Sequence, residues 1–121
     1  MGYKEDIDKA LAAHGAWRQR LITVIATGNS DVQAAQVQVD NACAFGKWFY
    51  SLPPEIRSAE VCAKIQKLHA DFHKEAARIL GLALTGKKAE AEKAMAFGGL
   101  FMDISGKLSV ALMQWKASAP N

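Results

Sequence analysis

The sequence predicts an all-α fold, an antiparallel four-helix bundle. Apolar residues recur at spacings of three, four and seven, and Val and Thr never form long alternating runs. Half of the 121 residues are hydrophobic, alanine is abundant and proline occurs only three times, a composition that favours helices. Three breaks, at Gly28-Asn29, Pro53-Pro54 and Thr85-Gly86, divide the chain into four long pieces with short connections.

The first piece carries Ile7, Leu11, His14, Leu21 and Ile25 as a stripe and is expected to be helical from about residue 3 to 27. Ser30 and Gln33 then form a capping-box pattern, S-D-V-Q. Val32, Ala35, Val39, Ala42, Cys43, Gly46 and Phe49 continue a second face to about residue 51, where the prolines end it. Ser58 is the expected N-cap of a third helix whose inward side reads Cys62, Ile65, His69, Phe72, His73, Ala76 and Leu80, ending at Thr85 and Gly86. The last helix, about 87 to 117, sets Phe97, Leu100, Phe101, Ile104, Leu108, Ala111 and Trp115 on one side, and Gly98, Gly99 and Gly106 are expected to permit close backbone approach. No linker, repeat or low-complexity segment divides the chain, so residues 1–121 read as one domain.

Composition narrows the function classes. A net charge of +3 and a pI near 9.0, with basic residues scattered among acids, describe a solvated surface and not a nucleic-acid footprint. No apolar stretch approaches the ~18 residues of a membrane span, and the N-terminus MGYKEDIDK has no signal-peptide character. The expectation is a soluble, cytoplasmic protein whose two cysteines are free thiols or metal ligands.

The chemistry-bearing residues converge. His69 and His73 are four apart, so in a helix both imidazoles lean over one patch, separated by about 6 Å of rise and about 40° of rotation. His14 lies in the inward stripe of the first helix, and Cys43 on the apolar face of the second. Either alone reads as core; together they bring three histidines and one cysteine inward from three helices, a set that suits a tetrahedral zinc ion in the bundle core. Cys62 lies seven residues before His69, about 10 Å along the same helix, too far for an ion held by His69 and His73, and is expected to be core packing. Trp17, Phe45 and Trp48 are expected in the core beside the site. Asp103 is the expected hydrogen-bond partner of a ligand imidazole, whereas Asp71, two residues from both histidines, faces away.

The pieces HGAW at 14 to 17, CAFGKW at 43 to 48 and HADFH at 69 to 73 resemble, in order and separation, the chemoreceptor zinc-binding domain family. The resemblance implies that His14, Cys43, His69 and His73 bind one zinc ion in a four-helix bundle that commonly forms homodimers. It also implies a sensory role, for zinc or for oxidants such as hypochlorous acid, coupled to a chemoreceptor or a diguanylate cyclase. Neither output is visible in the chain, which is expected to be an excised or free-standing relative. A closed shell of one cysteine and three histidines leaves no open position for substrate, so the chain is not expected to be an enzyme. Its thiolate, Cys43, is the form that oxidants attack and is the expected redox switch. The alternatives are a zinc-stapled structural dimerisation module and a metal hydrolase in which Cys43 is not a ligand. A di-iron or haem bundle is disfavoured, because neither His69 nor His73 has a glutamate three residues before it.

Overall fold

The computed structural model describes residues 3–30, 44–96 and 98–118. Among these the regular structure is entirely helical: α1 (Tyr3–Thr27), α2 (Ala44–Tyr50), α3 (Pro54–Arg57), α4 (Glu60–Leu84), α5 (Lys88–Ala94) and α6 (Leu100–Ser118). The capping pattern at 30 to 33 extends beyond the described residues, and Val32, Ala35, Val39, Ala42, Cys43 and Phe97 lie outside them.

The two longest helices end where the sequence expects. Gly28, at φ +74°, donates its N–H to the Val24 carbonyl at 2.7 Å and closes α1. Gly86, at φ +81°, turns the chain so that the Lys87 N–H reaches the Leu82 carbonyl at 2.9 Å, the six-to-one bond of a Schellman motif. Two other boundaries differ from expectation. Pro54 occupies the first position of a helical turn, where no N–H is required, and forms α3. Ser58 ends that turn, donating its N–H to the Pro54 carbonyl, so Ala59 and not Ser58 precedes α4.

The expected last helix is two helices. Gly98, at φ +84°, adopts a conformation that L side chains avoid and separates α5 from α6. A side chain on Gly99 would stand 3.0 Å from the carbonyl oxygens of Ala94 and Ala96, so close approach occurs at this break. Gly106 faces open space instead. Leu100, expected inward, is 56 % exposed on the rim of the α6 seam formed by Phe101, Ile104, Leu108, Ala111 and Trp115.

The core follows from spacing. On α4, Cys62, Ile65, His69, Phe72, Ala76, Ile79 and Ala83 alternate steps of three and four and are all buried. This seam packs mainly on α6, with Phe72 and Phe101 ring centres 5.3 Å apart. Each large apolar side chain so buried contributes about 1.5–3 kcal/mol. α1 adds Ile7, Ala10, His14, Leu21 and Ile25, and α2 sets Trp48 and Phe49 against Trp115 at 5.6 and 5.9 Å. Asp8 and Lys116 join the start of α1 to the end of α6 at 2.7 Å. No helix among the described residues is long and apolar enough to cross a membrane.

Candidate metal centre

Two helices bring the three histidines together. His14 projects from the middle of α1, and His69 and His73 stand one turn apart in the buried seam of α4. One ring nitrogen from each falls within 4.8 Å of the other two. The Nε2 atoms of His69 and His73 are 3.1 Å apart, and the His14 ring centre lies 4.9 Å from that of His69. All three are buried, with exposures of 6, 2 and 3 %, as only a satisfied or ligating histidine should be.

The surroundings suit a cation ligand and not a charged imidazole. Burial, reinforced by the neighbouring His73, lowers the His14 pKa to about 4, against a smaller opposing pull from the Ala10 carbonyl. Burial lowers that of His69 to about 2, with His14 and His73 adding to the effect. Both rings are therefore neutral at physiological pH and offer lone pairs. The Nδ1 of His14 is buried and makes no well-formed hydrogen bond, with the Ala10 carbonyl, one turn back, the backbone group that acts on the ring. Such an orphan is costly unless something else completes it. Zinc to nitrogen bonds of about 2.0–2.1 Å in a tetrahedron place donors about 3.4 Å apart, within reach of ring rotations from the spacing seen here. The residues present fit a zinc ion.

Aromatic rings wall the cluster. Phe45 of α2 meets His14 edge-on at 5.7 Å and His69 at 4.9 Å, while Phe72 meets His14 at 5.1 Å. Trp17 and Trp48 are half-buried, and the Arg20 guanidinium covers the Trp17 ring at 4.0 Å. Cys62 is a buried free thiol, its pKa pushed up by burial, and stands outside the histidine group in the expected core role.

Asp103 is not brought into this group. Its carboxylate is 52 % exposed and pairs with Lys107 at 3.1 Å, because it sits one position outside the buried Ile104. Asp71 pairs with Lys67 at 2.8 Å. Cys43 lies outside the described residues, immediately before Ala44. A cavity of about 120 Å³ beside His14, with Asp6 on its wall, was not foreseen; the signal for it is the spacing of Asp6, Ala10 and His14, four apart on one ridge of α1.

Compared with curated proteins and with solved structures, the chain matches none. A family model does match, that of the chemoreceptor zinc-binding domain, over residues 14–80. The match begins at His14, ends one turn beyond Ala76 in α4, and so includes all three buried histidines. With zinc as the family's cofactor and a buried three-histidine cluster able to hold it, the chain belongs to the chemoreceptor zinc-binding domain family.

Proposed function

We propose that the protein is a zinc-based sensory domain in which Cys43 completes the shell begun by His14, His69 and His73. The buried histidine cluster carries this reading. Cys43 immediately precedes α2, the helix whose Phe45 ring lies against both His14 and His69, so the chain passes close to the centre at that point. We read the whole as an antiparallel four-helix bundle. The contact between the beginning of α1 and the end of α6 at Asp8 and Lys116 supports that arrangement.

Bound zinc holds a cysteine as thiolate at neutral pH and so supplies the reactive form. Hypochlorous acid and the Cys43 thiolate give a sulfenic acid and chloride, a change that weakens the thiolate's hold. The second helix is the only one tied to the centre through that bond, whereas α1 and α4 keep their imidazoles, so it is the part that moves. Structural zinc is worth on the order of 10–16 kcal/mol in small peptides, so losing one strong ligand outweighs the few kcal/mol that separate conformers in many switches. The output is a chemotaxis or cyclic-di-GMP pathway, reached through a chemoreceptor or diguanylate cyclase in the cytoplasm. The domain acts as a homodimer, with Val110 and Met113, each 54 % exposed on α6, as available apolar surface.

The test combines metal analysis with graded oxidation. The wild-type chain should hold one zinc and Cys43→Ala should bind it far more weakly. Limited hypochlorous acid should modify Cys43 before Cys62 or the methionines, with hydrogen exchange rising first around residues 40 to 50. Oxidation elsewhere first, with zinc retained and exchange unchanged, leaves a zinc-stapled structural module. A metal-bound water in the cobalt-substituted protein would favour a hydrolase instead.

A further inference from the structure

Burying a metal site behind aromatic rings raises the question of how the ion reaches it. The cavity of about 120 Å³ beside the histidine cluster has His14 on its wall, while His69 and His73 do not line it. Its floor and sides are apolar, formed by Phe45, Trp48 and Trp17. Ala10 and Ala13 present only methyl groups along α1 and leave the space open, with room for several waters. Asp6 stands two turns before His14 on the same ridge of α1. Lys9 also lines the cavity, but its ammonium pairs with the Glu5 carboxylate at 3.6 Å, which offsets its charge and leaves Asp6 to set the sign.

We propose that this cavity is the path by which a divalent cation enters and leaves the centre, with Asp6 as the outer carboxylate that draws it in and His14 as the imidazole it meets first. Three independent features point the same way. A carboxylate, two small side chains and a buried imidazole lie in succession along one helix face. The cavity reaches only the His14 side of the cluster. Among the described residues, the His14 Nδ1 is a buried side-chain nitrogen that makes no well-formed hydrogen bond. Exchange at the centre then proceeds from the α1 side while His69 and His73, fixed in the α4 seam, hold the ion last. The proposal rests on the reading that these histidines bind zinc.

The test is stopped-flow zinc uptake by the metal-free full chain, and zinc removal by a chromophoric chelator, with equilibrium affinity measured alongside. Ala13 is exposed, so Ala13→Phe adds a ring at the mouth without disturbing the core. It should slow uptake and release alike by about tenfold, the factor that about 1.4 kcal/mol of added local opening imposes, at nearly unchanged affinity. Asp6→Asn should slow uptake by about threefold at low ionic strength, with the difference shrinking as salt is added. Wild-type rates in both variants at wild-type affinity overturn the route while leaving the zinc site intact. A wild-type chain that takes up no zinc overturns the site and the route together.

Discussion

The Nε2 atoms of His69 and His73 lie 3.1 Å apart, one turn apart on the buried seam of α4, and one can donate a hydrogen bond to the other only when their tautomers are complementary. This pair is the half of the centre fixed by a single helix. The His69→Ala, His73→Ala double variant should therefore lower zinc content from one per chain to near zero. Metal retained in full, measured by atomic emission after dialysis, would falsify the assignment of the pair.

Acid should destabilise the metal-free chain. The unfolded imidazoles take up protons near the ordinary value of 6.5, whereas folded His14 resists until about 4 and His69 until about 2. The unfolded state therefore binds more protons below 6.5, so their contribution is fully present above that value and lost as pH falls. Each imidazole adds a slope of up to about 1.4 kcal/mol per pH unit, and the His14 share levels off near its folded value. Urea midpoints between pH 7.5 and 4.5, measured with chelator present, should fall steadily; a flat profile sinks the claim.

Phe72 joins the metal centre to the core, with its ring 5.1 Å from His14 and 5.3 Å from Phe101. Phe72→Ala should cost about 3–5 kcal/mol of stability, and Phe72→Leu clearly less. Both should weaken zinc binding, since His14 loses its wall. Destabilisation without any change in zinc affinity would show that packing and centre are separate.

At Gly98 the cost should be conformational alone. A side chain there meets nothing within 4 Å, yet φ is +84°. Gly98→Ala should lower stability by about 1–2 kcal/mol, whereas Gly106→Ala, in an ordinary helix with equal room, should be neutral or stabilising. Equal thermal shifts in the two variants would contradict this account of the break.

What was legible in the sequence was what periodicity encodes. The stripe of α1 and the alternating seam of α4 placed His14, His69 and His73 inward, and the glycines after Thr27 and Thr85 marked both helix ends. Spacing was less informative where backbone conformation decides. Gly98 and Gly99 read as a helix contact within one long last helix, but a missing side chain permits a break as well, and Gly98 makes one. Ser58 looked like an N-cap because its residue type favours that role, but the turn begun at Pro54 takes it as a terminus instead. Asp103 fell on the right helix at the wrong angle: one residue turns a side chain by about 100°, enough to carry its carboxylate from the seam to Lys107. The cavity beside His14 is not encoded in periodicity, because voids arise from what alanines leave unfilled between helices.

The ion pair between Asp8 and Lys116 has a geometric corollary. It holds the first turns of α1 and the last turn of α6 at one pole of the molecule, so polypeptide leading into the former and out of the latter shares a single doorway. A unit with that shape occupies the footprint of a surface loop and can be spliced into a host chain without separating the segments on either side.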